Sequence, residues 1–112
     1  MEVLSTGGLL VAFSGKEQPN VYRIDEIAGG GSGYSWTPIT LPEEFVYQAT
    51  AHPRNHQRIF VATEHGVFET SASGPPQALP GLPSQRTKAL FWHGDHLYVG
   101  TYGSGVYAGR VP

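Results

Sequence analysis

Two stretches decide how this chain folds: FVATEHGVFE at residues 60–69 and YVGTYGSGVYA at residues 98–108. Each contains a run of β-branched and aromatic residues, a short loop, and a second such run that begins at Gly66 or Gly105. This pattern is typical of a β-hairpin. Because the same pattern returns after 38 residues, the sequence predicts an internal repeat.

A third copy of the hairpin lies nearer the N-terminus, in LVAF at 10–13 and NVYR at 20–23. A further strand is expected before each of the three hairpins, in EVLS at 2–5, FVYQATA at 45–51 and KALFW at 88–92. Another strand follows the first two hairpins, in YSWTPI at 34–39 and PQAL at 76–79. No such strand follows the third hairpin before Pro112.

Groups of four antiparallel strands that recur every 38 to 50 residues are typical of β-propeller blades. We therefore predict an all-β fold, an incomplete β-propeller of about three blades in a single domain of 112 residues. The blades are expected at about 2–40, 45–80 and 86–112, and the last would lack its outer strand. A β-sandwich is the alternative, because evenly spaced short strands serve both folds.

Two sets of residues also resemble a known superfamily of propellers. YRID at 22–25 with GYSW at 33–36 resembles a stretched Asp box, the turn motif of sialidase-like (BNR) propellers. The phrases ATAHP at 49–53, FVATEHGVFET at 60–70 and LYVGTYGSGVY at 97–107 look like blades of the sortilin and photosystem-assembly-factor type. The resemblance implies the propeller fold, but its motifs are structural turns that hardly specify a function.

Composition excludes several classes of function. The net charge is −2 and no block of like charges occurs, so a nucleic-acid partner is not expected. The chain has no cysteine, which removes disulfides and thiolate nucleophiles. No apolar run reaches the roughly 18 residues of a membrane span, and the N-terminal residues lack the pattern of a signal peptide. We therefore expect a cytoplasmic protein that has no membrane partner.

Three blades cannot close a ring, because closed propellers have roughly four to eight. The simplest completion is a head-to-tail dimer, in which two chains form six blades. The alternative is a different chain that supplies the missing blades.

In a propeller, loops alternate between two faces of the ring, and this sorts the polar residues. The candidates for binding a ligand or partner fall on the face that carries the loops between second and third strands and the loops between blades, and are Lys16, Glu64, His65, Arg86, Tyr102 and Ser104. The opposite face would carry the weak metal-site candidates His93, Asp95 and His96, to which His52 and His56 could add ligands. The dipeptide Gly94-Asp95 is, however, expected hairpin-turn chemistry.

These observations favour a non-enzymatic scaffold that completes its ring by association and presents a loop face to a protein partner. A glycan-binding lectin that uses Tyr102, Glu64 and His65 is the alternative, since exposed aromatic rings beside polar loops hold sugars. A relative of the glycoside hydrolases is more remote, because most arginines fall outside the candidate face. No cofactor is expected, and Trp36 and Trp92 are expected to pack in the core.

Overall fold

Strands make up most of the residues that the structure, a computed structural model, describes. The described residues are 2–3, 9–12, 21–26, 34–39, 45–71, 74–81, 86–103 and 105–112. The strands are β1 (Glu2–Val3), β2 (Leu9–Ala12), β3 (Val21–Glu26), β4 (Tyr34–Ile39), β5 (Val46–His52), β6 (Asn55–Thr63), β7 (Gly66–Ser71), β8 (Gly74–Ala78), β9 (Thr87–His93), β10 (His96–Thr101) and β11 (Val106–Arg110). The predicted all-β class is confirmed.

These strands form three antiparallel sheets in which each strand pairs with its neighbours in sequence. The first sheet contains β1 to β4, the middle sheet β5 to β8, and the last sheet β9 to β11. The register places Val11 opposite Tyr22, Val61 opposite Phe68, and Val99 opposite Tyr107. The three hairpins recognised in the sequence therefore have equivalent registers, whereas a β-sandwich would have only two sheets.

The middle sheet is covered on both of its faces. Because side chains alternate along a strand, Ile59 and Val61 of β6 point to the first sheet, and Phe60 and Ala62 point to the last sheet. All four are at most 2% exposed. The core thus consists of two apolar layers, one on each side of the middle sheet.

Each apolar layer draws on two neighbouring sheets. The layer between the first and middle sheets is built by Leu10, Val21, Ile39, Val46, Ala49, Ala51, Ile59 and Val61. The layer between the middle and last sheets is built by Phe60, Ala62, Val67, Leu90, Leu97, Val99 and Val111. We call the face of each sheet that points along the chain to the next sheet its forward face, and the opposite face its rear face.

The sequence repeat extends to the hydrogen bonds of the turns. The Thr63 hydroxyl donates to the Gly66 carbonyl (3.0 Å), and 38 residues later the Thr101 hydroxyl donates to the Gly105 carbonyl (2.7 Å). The residue after each threonine, Glu64 or Tyr102, donates its backbone N–H to the segment before the first strand of its own sheet. The two copies are therefore alike in turn geometry as well as in sequence.

One expectation about the core is wrong. Trp36 is 58% exposed, because it lies on the rear face of the first sheet, on which no other described sheet packs. Trp92, in contrast, is partly buried against Phe60, with ring centroids 5.3 Å apart. The predicted strand before the first hairpin is described only as Glu2–Val3.

Candidate functional site

Part of the predicted binding face is assembled around Tyr102. The Tyr102 backbone N–H donates to the Arg86 carbonyl (2.9 Å), which holds the turn after β10 beside the start of β9. The Arg86 guanidinium carbon lies 5.2 Å from the centre of the Tyr102 ring, and Lys88 Nζ lies 5.1 Å from it. The ring is 59% exposed, so these residues form a basic and aromatic surface open to solvent.

Glu64 and His65 occupy the corresponding turn of the middle sheet. The Glu64 backbone N–H donates to the Phe45 carbonyl (3.2 Å), and the His65 backbone N–H donates to the Thr63 hydroxyl (3.0 Å). Two other predicted binding residues, Lys16 and Ser104, lie outside the described residues.

The turn at the opposite end of the last sheet holds Asp95 in an ion pair. Arg110 Nε donates to Asp95 Oδ2 (2.6 Å), and His96 Nδ1 lies 3.1 Å from Asp95 Oδ1. The hydrogen bond from Arg110 lowers the pKa of the Asp95 carboxyl below its ordinary value, and the charges of Arg110 and His96 act in the same direction. Asp95 thereby ties the β9–β10 turn to β11.

His52 is buried, in contrast to the exposed loop position predicted for it. Its Nδ1 accepts the backbone N–H of Arg54 (3.1 Å), which places the ring proton on Nε2. Nε2 then donates to the Val111 carbonyl (2.7 Å), and the ring packs against Trp92 with centroids 5.0 Å apart. With both ring nitrogens used, His52 has a structural role between the middle and last sheets.

Arg58 provides a second attachment for the C-terminal residues. Its guanidinium makes two parallel hydrogen bonds to Glu69, from Nε to Oε2 (2.8 Å) and from Nη2 to Oε1 (3.0 Å). The third nitrogen, Nη1, donates to the Pro112 carbonyl (2.6 Å). The bond to Glu69 raises the pKa of Arg58 above its ordinary value. We call His52, Arg58 and Asp95 the C-terminal clasp, since Asp95 also accepts the Val111 N–H through its carbonyl (2.7 Å).

His93, Asp95 and His96 lie together at the β9–β10 turn, with His93 opposite His96 across the hairpin. Both carboxylate oxygens of Asp95 have partners within the protein, and His93 and His96 are exposed on the last sheet. In the ranges that the structure describes, no three His, Asp or Glu side chains are grouped so that they could hold a metal ion. His52 and His56 therefore do not join a metal cluster there.

The last sheet has an uncovered apolar forward face. Leu97 and Val99 of β10 point back to the middle sheet. The residues that alternate with them along β10, and the residues of β9 and β11 opposite those, therefore point outward. Val106 is 72% exposed, Phe91 65% and Tyr98 37%. Ala89 and Ala108 are exposed on the same face.

The first sheet has an apolar rear face on which no other described sheet packs, although Ile24 on that face is only 7% exposed. Leu10 and Val21 point to the middle sheet, so Val11, Tyr22 and Trp36 point away from it. The rings of Tyr22 and Trp36 meet edge to face, with centroids 5.7 Å apart. The stack of three sheets thus ends in two apolar surfaces, which are exceptional on a small protein unless they bind something.

A cleft of about 330 Å³ opens between the segment after β8 and the last sheet. It is lined mainly by apolar residues, among them Leu79, Leu97, Val99 and Tyr107. Beside it lies β11, which pairs only with β10 among the described strands, whereas β3 and β7 each have a following strand on that side. The last sheet thus has three described strands, whereas the first and middle sheets have four each.

Several residues of these surfaces were not singled out by the sequence. Lys88 was read only as part of a strand, and Arg58, Arg110 and Val111 carried no motif. The sequence did contain one indication of the basic surface beside Tyr102, because Lys88 lies two residues after Arg86 at the start of a strand. The clasp left no local signal, since it joins residues up to 59 positions apart.

Comparison of the chain with protein-family models, curated proteins and solved structures found no match. Within the described ranges, no helix is long and apolar enough to cross a membrane. The geometry of the sheets and their end surfaces is therefore the basis for inferring a function.

Proposed function

We propose that this chain is a non-enzymatic interaction module, a partial β-propeller of the BNR type whose three sheets are blades. The observation that carries the proposal is the pair of apolar faces at the two ends of the stack. Each internal face of the same kind is buried against a neighbouring sheet. A protein surface that covers the end faces would complete the core in the same way.

The arrangement of the sheets supports the propeller interpretation. Each sheet is a meander, and consecutive sheets pack face to face in sequence order. The β6–β7 and β10–β11 turns lie beside the chain entering their own sheets, as loops on one face of a propeller do. We place the loop surface formed by Tyr102, Arg86 and Lys88 on that face, where it would meet a protein partner in the cytoplasm.

The ionised side chains support a role without catalysis. Glu69 is held by both arms of the Arg58 guanidinium, and Asp95 is held by Arg110. Carboxylates in such ion pairs stabilise the fold and are poorly placed to exchange protons with a substrate. The Tyr102 ring is the observation that favours a lectin as the second candidate, although its two cation contacts occupy positions where a sugar would stack.

The proposed function is tested by binding of the dye ANS together with the mass of the purified chain in solution. We expect either an assembly larger than 12.1 kDa or a monomer that binds the dye at its apolar end faces. In a dye-binding monomer, Phe91→Glu reduces the binding, and Gln57→Glu, a charged change at an exposed position outside both faces, leaves it unchanged. A 12.1 kDa monomer that binds no dye would contradict the proposal. A glycan array tests the lectin alternative, which predicts a sugar hit that Tyr102→Ala abolishes.

A further inference from the structure

The exposed forward face of the last sheet repeats residues that are buried in the middle sheet. Tyr98 corresponds to Phe60, and Val106 corresponds to Val67. Phe60 and Val67 are at most 2% exposed, because the last sheet packs on them. Tyr98 and Val106 therefore occupy positions that are buried between sheets in the middle sheet, but no described sheet packs on them in the last sheet.

The exposed rear face of the first sheet also has buried equivalents. The cross-strand pair Val11 and Tyr22 corresponds to Val61 and Phe68, on which the first sheet packs. In the last sheet the corresponding Val99 packs against the middle sheet. Within the chain, the rear faces of the middle and last sheets each receive the forward face of the preceding sheet. The rear face of the first sheet is of the same type.

These two end faces fit each other because the chain already contains two junctions of the same kind. The forward face of the first sheet packs on the rear face of the middle sheet, and the middle and last sheets repeat this arrangement. A forward face on a rear face is therefore the contact for which these side chains are matched. A symmetric contact of two forward faces has no counterpart within the chain.

We infer that the partner of this chain is a second copy, and that the forward face of its last sheet packs on the rear face of the partner's first sheet. This inference rests on the proposed function and names the occupant of its end faces. The residues that meet include Phe91, Tyr98 and Val106 on one side and Val11, Tyr22 and Trp36 on the other. These six side chains are uncharged, and Arg110, which the register places at the end of the same forward face, is already paired with Asp95.

Two copies close the assembly. Among the sheets that the structure describes, one forward face and one rear face have no neighbouring sheet, so a pair of chains would form two identical junctions and a ring of six sheets. Six lies within the usual four to eight blades of closed propellers, whereas three copies would give nine. The expected mass in solution is twice that of one chain.

The experiment uses one charged substitution on each end face and measures mass by light scattering. Val106→Glu alters the forward face and Trp36→Glu the rear face; both residues are more than half exposed in the single chain, so each variant is expected to fold. Every junction of a variant dimer contains the altered face, so we expect each variant alone to be a 12.1 kDa monomer, with the dissociation constant raised at least 100-fold. Gln57→Glu is the matched control and stays dimeric.

Mixing the two variants provides the decisive result. The intact rear face of Val106→Glu can receive the intact forward face of Trp36→Glu, so the mixture forms a two-chain complex through one normal junction. A symmetric dimer would instead be disrupted by only one of the two variants, and mixing the variants would not restore the two-chain complex. That result would overturn the inference. Phe91→Glu replaces Val106→Glu if circular dichroism shows that the latter is unfolded.

The wild-type chain separates failure of this inference from failure of the proposed function. A wild-type monomer that binds ANS would overturn the second copy as partner and leave an interaction module for a different chain. A wild-type monomer without dye binding would overturn both. A dimer whose mixed variants recover the two-chain complex would support both.

Discussion

At the scale of single residues, the ion pair of Asp95 and Arg110 makes stability depend on pH. The pKa of Asp95 in the folded chain lies below the ordinary value of about 3.9, so its contribution is complete above that pH and is lost as the pH falls through the folded pKa. We expect the melting temperature between pH 6 and 2 to fall more steeply for wild type than for Asp95→Asn. Arg110→Gln should flatten the profile similarly, and parallel curves for all three proteins would exclude this role.

Substitution of the buried polar residue His52 is expected to lower the stability of the fold. His52→Ala would leave the Val111 carbonyl and the Arg54 N–H without their partners and open a space beside Trp92. The expected loss is about 3 kcal/mol in the free energy of unfolding, measured with urea. His93→Ala, at an exposed position of the last sheet, is the control and should change it by less than about 0.5 kcal/mol.

Individual side-chain positions were predictable only where the local pattern determined them. The runs of β-branched and aromatic residues at 60–63 and 98–101 predicted strands, and the structure shows which of their residues are buried. The burial of His52 was missed because it depends on Val111, which is distant in sequence. Trp36 was placed in the core because tryptophan is usually buried, but none of the described sheets packs on its face of the first sheet.

At the scale of secondary-structure elements, the glycines at the start of the second hairpin strand in the middle and last sheets, Gly66 and Gly105, are under conformational constraint. Gly105 has φ +82°, a region that L-residues rarely adopt, although a Cβ atom there would meet nothing within 4 Å. Gly105→Ala is therefore expected to destabilise the chain by about 1 kcal/mol through backbone strain alone. Urea unfolding measures this loss.

Gly109 supplies the matched control for that substitution. It lies in the same strand, β11, with no positive φ and no atom near the site of a Cβ. Gly109→Ala should leave stability unchanged or raise it by up to about 1 kcal/mol, because alanine restricts the unfolded chain. If the two alanine variants were equally stable, the backbone at Gly105 would not be constrained.

The strand order was the most predictable feature of the molecule, because hairpin signals are local. Gly66 and Gly105 marked where the second strand of a hairpin begins, and both strands begin there or one residue later. The clustering of Tyr102, Arg86 and Lys88 was less predictable, since it depends on the β10–β11 turn meeting the start of β9. A repeat in sequence shows which strands correspond, whereas the packing of sheets decides which faces are covered.

At the scale of the whole molecule, corresponding residues should differ in their contribution to stability. Phe60 is fully buried between the middle and last sheets, so Phe60→Ala should cost about 3–5 kcal/mol. Tyr98→Ala removes the corresponding ring from an open face and should cost less than about 1 kcal/mol when measured in the monomeric Trp36→Glu background. Equal losses at the two positions would mean that the forward face of the last sheet is covered within a single chain.

The meander order of the strands also has a consequence for how rapidly the chain folds. Every strand pair that the structure describes joins elements that are adjacent in sequence. Each pairing therefore closes a short loop, and the entropy lost in closing it is small. Contact order within each sheet is correspondingly low, so we expect the three hairpins to form before the sheets dock. The clasp contact between His52 and Val111 joins residues 59 positions apart. It would form last, after the sheets have docked.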